Sequence, residues 1–273
     1  IQQARPLITP WVLAEELPLP SPLVAAIADQ RRSVEAILNG EDPRLLVVVG
    51  PCSVHDTGAL LDYAGQLKTA SESLTDALFP VLSEYFEKPR TVVGWKGLIN
   101  DPDLDGSFHI NKGLHLARKV LLDVAELGLP AATEFLDTTF GQYYADLVSF
   151  GAIGARTVES QIHRELASGL SMPVGFKNGT NGQIDVAIDA MRSARHSHWF
   201  PSITSEGTPA ILKSSGNNHG YLILRGGKES GPNYGERHIH DAAVALAGAD
   251  LPGQDCTHFS ERYGGRRHDG LVV

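Results

Sequence analysis

Apolar positions along the chain fall into two alternating kinds of segment. Residues 22–38 carry Leu23, Ile27, Val34, Ile37 and Leu38 at helical spacing, and Gly40 follows as a stop, so a leading helix is predicted there. Residues 45–50 then form a continuous apolar run ending in Gly50-Pro51, the pattern of a strand buried on both faces. The unit recurs, with further strands predicted over 78–86, 130–136, 151–157, 173–176 and 221–224, and helical patterns over 113–127, 142–150, 160–168 and 185–194. Such βα alternation builds a parallel sheet with helices outside, either doubly wound or closed into a barrel.

The placement of unusual polar residues favours the barrel. Cys52 follows the first strand, Lys88 and Arg90 the second, Glu134 ends the third, Arg156 follows the fourth, Lys177 the fifth and Arg225 the sixth. A barrel active face draws its residues from the C-terminal ends of many strands, whereas a doubly wound sheet concentrates them at one crevice. Residues 199–214 read as two short strands, 200–204 and 210–213, around a Ser-Glu-Gly-Thr-Pro turn, an inserted hairpin. The expected architecture is therefore α/β: a TIM (β/α)8 barrel over residues 41–273, with an N-terminal extension over 1–40 and an inserted β-hairpin.

Composition narrows the partners. Over 273 residues, a net charge of −9 argues against a phosphate-backbone binder, so nucleic acid is not expected and any anionic ligand needs a local basic cluster. No stretch approaches the roughly 18 to 20 apolar residues of a membrane span, and the first ten residues lack the design of a signal peptide. With Cys52 and Cys256 the only cysteines, a disulfide framework is implausible and a reducing, cytoplasmic setting is expected.

Four groups carry candidate chemistry. In Gly50-Pro51-Cys52-Ser53-Val54-His55-Asp56, a thiolate at a strand end is a good soft ligand for a divalent transition metal, although a small buried residue in a tight turn has the same look. Glu87-Lys88-Pro89-Arg90-Thr91 presents two cations and a hydroxyl on a Pro-containing loop, a phosphate clamp or else a solvated charge run. Arg156, Lys177 and Arg225 each follow apolar residues of a predicted buried strand, where an unpaired cation is very costly, so an anion should meet them. In Asp255-Cys256-Thr257-His258, His258 is a candidate metal ligand or an ordinary structural histidine.

In order and wording these segments resemble the type I 3-deoxy-D-arabino-heptulosonate-7-phosphate (DAHP) synthases. The likeness runs from about Arg5 to His258 through GPCSVHD, YFEKPRTVVGWKGLINDPDLDGSF, GLPAATEFLD, GAIGARTVESQIHRELASGL, PVGFKNGTNG and ILRGGKE. It implies condensation of phosphoenolpyruvate with erythrose 4-phosphate and water to give DAHP and phosphate, the first step of the shikimate pathway. By the same resemblance, Cys52 and His258 are ligands of a divalent metal ion (manganese, iron, zinc or cobalt). Arg156, Lys177 and Arg225 hold phosphoenolpyruvate, while Arg90 and Thr91 hold the phosphate of erythrose 4-phosphate. By the resemblance Lys88 lies between the substrates. The mechanism expected from the chemistry has it assist the metal at the aldehyde oxygen, with Glu134, a carboxylate beside several cations, handling the water that adds afterwards. A homodimer or homotetramer, with an aromatic amino acid as effector, is the implied assembly.

Two departures from the family pattern stand out. Where the pattern has an Arg two residues before Tyr-Phe-Glu-Lys-Pro-Arg, this chain has Ser83. A Glu and an Asp that complete the family's metal site, at and beyond the eighth strand, are also missing, and Gly270-Leu271-Val272-Val273 reads as an incomplete last strand. The expectation is that the sequence omits residues of the real polypeptide, which an intact mass near 29.3 kDa would refute. The competing reading is a non-catalytic regulatory or interaction homologue.

Overall fold

In a computed structural model the chain is described over residues 1–227 and 230–251, with residues 255–258 described by their backbone. Two helices lead. Helix α1 (Pro10–Glu16) starts where the Thr9 hydroxyl accepts a hydrogen bond from Val12 N, with proline at the first helical position. Helix α2 (Ser21–Leu38) ends at Gly40, whose φ of 73° lies in the left-handed region that glycine tolerates, as the Gly40 stop predicted.

The sheet strands are β1 (Leu45–Ser53), β2 (Leu78–Tyr85), β3 (Ala131–Glu134), β4 (Phe150–Ile153), β5 (Val174–Lys177), β8 (Gly220–Arg225) and β9 (Asp255–His258). They pair in parallel in the order β1-β2-β3-β4-β5-β8-β9. Helices separate them: α3 (Thr57–Ser71), α4 (Ile110–Glu126), α5 (Gly141–Tyr144), α6 (Gln161–Gly169), α7 (Asp185–Ala194) and α8 (Glu236–Gly248). Strands β6 (Trp199–Ile203) and β7 (Pro209–Lys213) form an antiparallel hairpin of their own, the predicted insertion.

Two apolar layers hold the sheet. On its outer face, α4 contributes Leu114, Ala117, Leu121 and Val124 to a large buried cluster with Leu82, Phe86 and Phe135. The inner cluster joins Leu46 of β1 and Val81 of β2 to Tyr221 and Ile223 of β8, with Val34, Ile37 and Leu38 of α2 among them. Strands from distant places in the sheet order meet in that cluster, so the sheet curls and α2 closes its N-terminal end. Among the described residues β1 and β9 remain the edges, so the expected closed barrel is seen as a curled parallel sheet that is not closed.

The predicted helix over 142–150 is replaced by the short α5, one 3-10 turn and the start of β4. Ser149 N donates to Ala131 O at 2.9 Å, and Phe150 pairs with Ala132, so ladder bonds to β3 claim residues that helical spacing assigned to a helix. The predicted fourth strand likewise stops early, at Ile153, because Thr157 N and Val158 N both bond back to Gly154 O in a turn.

Candidate active site

The C-terminal ends of the strands gather the titratable residues. Strand β1 bulges between Val49 and Cys52, and a side chain at Gly50 would meet Ser83 O at 2.4 Å, so only glycine allows that approach to β2. The bulge leaves Cys52, half-buried and with a free thiol, at φ 63°, a conformation that L-residues seldom adopt and that recurs at functional sites.

Lys177, at the end of β5, donates to Glu134 Oε2 at 2.6 Å, and both side chains are almost fully buried. Its ammonium also lies 3.4 Å from the Tyr85 hydroxyl and 4.9 Å from the centre of that ring. Burial pulls the lysine pKa down, but the Glu134 carboxylate, with Tyr85 and Cys52 behind it, more than reverses this and holds it above the usual range. Burial pushes Tyr85 up to about 12, partly offset by Lys177. Cys52 stands at the same end of the sheet, opposite Glu84 in the β1–β2 register and one residue before Ser53, which faces Tyr85. Gly154, just past β4, gives Glu134 its room, since a Cβ there would lie 2.3 Å from the carboxylate.

A second group lies on the loops that follow β2 and β4. Arg156 is exposed in the turn after β4 and donates from Nε to the Thr91 hydroxyl at 3.2 Å. Arg90 Nε donates to Trp95 O at 2.6 Å, and Lys88 N donates to Lys96 O at 2.8 Å, folding residues 88–96 back on themselves. Trp95 in turn donates to Asp101 O, and Gly97 (φ 112°) permits close packing on Phe86 O. The half-buried Lys88 thus sits at the root of a braced loop that carries Arg90 and Thr91 at its exposed part.

The geometry refines the argument that strand-end cations await an anion. Lys177 meets one from its own chain, Glu134, while Arg156 stands in a solvent-facing turn where a cation costs little. Arg225 is half-buried at the end of β8, and β9 runs beside it with His258 in register. The His258 side chain lies outside the described residues, as does the segment 270–273 that reads as an incomplete last strand. Among the described residues no three His, Cys, Asp or Glu side chains come together as a metal cage, and Cys52 alone does not make one.

Sequence reasoning passed over Tyr85, Glu87, Asn178 and Asn233. Tyr85 shares the inner face of β2 with Ser83 and Val81, a two-residue alternation that could have flagged it. Glu87 is buried with its carboxylate accepting from Asp137 N at 3.2 Å, and burial raises its pKa to about 7. Asn178 and Asn233 carry no signal in single-sequence spacing.

The profile of the DAHP synthetase I family matches residues 24–272. The Trp-sensitive phospho-2-dehydro-3-deoxyheptonate aldolase of Salmonella typhimurium is 55% identical over 254 residues, 93% of this chain and 72% of that protein. The Phe-sensitive enzyme of Escherichia coli K12 is 54% identical over 260 residues, 95% of this chain and 74% of that one. The solved structure of the Francisella tularensis phospho-2-dehydro-3-deoxyheptonate aldolase superposes with a TM-score of 0.92 at 48% identity, covering 94% of this chain and 75% of the other. A curled parallel sheet with a buried Lys-Glu pair at its strand ends, in a chain more than half identical to named aldolases, belongs to the DAHP synthetase I family.

Proposed function

We propose that this chain is a DAHP synthase that condenses phosphoenolpyruvate with erythrose 4-phosphate and water, releasing DAHP and phosphate at the first step of aromatic amino acid biosynthesis. The observation that carries the reading at the level of chemistry is the buried Lys177–Glu134 pair at the ends of β5 and β3, supported by the Arg156–Thr91 contact between the loops after β4 and β2. A closed (β/α)8 barrel is the finer fold proposed, supported by the curl of the sheet and the 0.92 superposition.

In this reading Arg156, Lys177 and Arg225 hold phosphoenolpyruvate, and Arg90 and Thr91 hold the phosphate of erythrose 4-phosphate. Carbon 3 of phosphoenolpyruvate bonds to the aldehyde carbon, whose oxygen takes a proton from Lys88. Water adds at carbon 2, Glu134 accepts its proton, and the carbon–oxygen bond to phosphate breaks. Lys177 holds the Glu134 carboxylate oriented through its 2.6 Å contact until substrate arrives. A divalent metal (manganese, iron, zinc or cobalt) on Cys52 and His258 is implied by the family likeness. The described residues bring only Cys52 to the site, so no step here passes through it.

An aromatic amino acid effector is also proposed, because the relatives' names record Trp and Phe sensitivity. A cavity of about 620 Å³, away from the strand ends, suits it in size. Ile27, Leu166, Leu170, Phe200 and Leu212 line it with Arg31 and Ser171. A homodimer or homotetramer fits the outward apolar face of the hairpin, where Trp199 and Ile211 are exposed.

The test is consumption of phosphoenolpyruvate by the full chain with erythrose 4-phosphate and each of the four metals in turn. Release of one phosphate per molecule consumed supports the reading. No turnover with any metal sinks it in favour of a non-catalytic homologue.

A further inference from the structure

Main-chain pairing of β5 with β8 runs as far as Lys177 opposite Ile223, and Asn178 N adds a last ladder bond to Ile223 O at 3.2 Å. Past that point a side chain takes over. Asn178 Oδ1 accepts from Arg225 N at 2.6 Å, and Asn178 Nδ2 donates to Arg225 O at 2.9 Å. One carboxamide thus satisfies both main-chain polar atoms of a single residue, as a neighbouring strand would. The same Oδ1 accepts from Asn233 Nδ2 at 3.2 Å, and Nδ2 also reaches Gly179 O at 3.0 Å. Both asparagines are buried, Asn178 completely. Between the two ends that Asn178 holds, Gly227 and Gly231 exchange main-chain hydrogen bonds and close the turn.

We propose that Asn178 is a positioning residue that fixes Arg225, and through Asn233 the turn beyond it, against Lys177, so that the two cations meet one anion in a set geometry. Asn178 is covalently joined to Lys177 and doubly hydrogen-bonded to Arg225, so the relative placement of those strand ends passes through one residue. The neutral amide supplies a donor and an acceptor on separate atoms, one for each main-chain polar atom of Arg225. Aspartate loses the donor and leucine loses both. The inference rests on the reading that Arg225 holds phosphoenolpyruvate.

The experiment is calorimetric binding of phosphoenolpyruvate to the full chain, which needs no turnover, combined with a double-mutant cycle. Asn178→Ala is expected to weaken binding about tenfold, the scale of a misplaced binding group. Arg225→Ala weakens it too, and the double variant binds no worse than Arg225→Ala alone. Should Asn178→Ala fold poorly, Asn233→Ala removes a single donor and gives a smaller loss that likewise vanishes in the Arg225→Ala background. Wild-type affinity in these asparagine variants, or losses that multiply with Arg225→Ala, overturns the positioning role. If Arg225→Ala itself binds like wild type, the substrate reading of Arg225 falls and this proposal with it. The single Arg225 variant therefore separates the two failures.

Discussion

Lys177 Nζ and Glu134 Oε2 lie 2.6 Å apart across 43 residues of sequence, each the partner that makes the other's burial tolerable. Removing one leaves an uncompensated charge. Lys177→Met is expected to destabilise the fold by about 3–5 kcal/mol, and adding Glu134→Leu to recover much of that. Urea unfolding of the two variants checks it, and a single variant as stable as the parent would contradict the pairing.

Glu87 gives a pH signature. Its pKa is raised by burial to about 7 in the fold, against 4.5 for the free side chain, so the folded state holds an extra proton between those values. Stability from this group is present below about pH 4.5 and lost as pH rises through 7. Glu87→Gln should flatten that loss, with a difference at pH 8 on the order of 3 kcal/mol. Unfolding midpoints that fall equally with pH in both proteins would count against it.

Glu84 is a different case, a carboxyl on the outer face of β2 whose two oxygens meet no hydrogen-bond partner among the described residues. Burial holds its pKa well above the usual range, so it is stored as the neutral acid and the fold weakens as pH rises toward its ionisation. Glu84→Leu should stabilise by about 1–3 kcal/mol, the desolvation cost of an unmade hydrogen bond. A lower melting temperature for the variant would refute this.

Ser83 lies buried on the inner face of β2, one alternation before Tyr85. The family likeness puts an arginine there, and a missing charge-assisted contact of about 1.5–3 kcal/mol weakens a substrate roughly tenfold to a hundredfold. Ser83→Arg should therefore lower the Michaelis constant for phosphoenolpyruvate. Steady-state kinetics decides, and an unchanged or higher constant would show that the site manages without it.

The cavity proposed for an effector can be filled without touching the strand ends. A Cβ on Gly169 would stand 3.7 Å from Phe200 and from Ser214, ordinary contact, so Gly169→Leu should be accommodated while reaching into the space. Inhibition by phenylalanine, tyrosine or tryptophan should weaken at least tenfold with turnover retained, as measured by inhibitor titration. Undiminished inhibition would place the effector elsewhere.

Much of this architecture is legible in the residues because burial on both faces forces continuous apolar strands. Tyr221 to Leu224 is such a strand, whereas Leu45 to Val49, read the same way, forms its strand but is buried only at Leu46, because β1 is an edge of the sheet among the described residues; the hairpin appears within a residue of its predicted bounds. Helix 142–150 misleads because Phe150, Leu147 and Tyr143 suit helical spacing equally well, while the ladder to β3 that decides the matter is non-local. Glu134 and Lys177 are each visible as polar residues at strand ends, but not their contact, since spacing along the chain does not encode which ends a curled sheet brings together. Asn178 is invisible for a related reason: its bonds to Arg225 are to main-chain atoms 47 residues away, which leave no trace in side-chain identity.

Cys52 holds its thiol at a backbone conformation where glycine would be more comfortable. Glycine in its place would relax the bulge and erase the thiol at the C-terminal end of β1. Local ease and chemistry thus pull this position in opposite directions, and the side chain that remains is the one the backbone likes less.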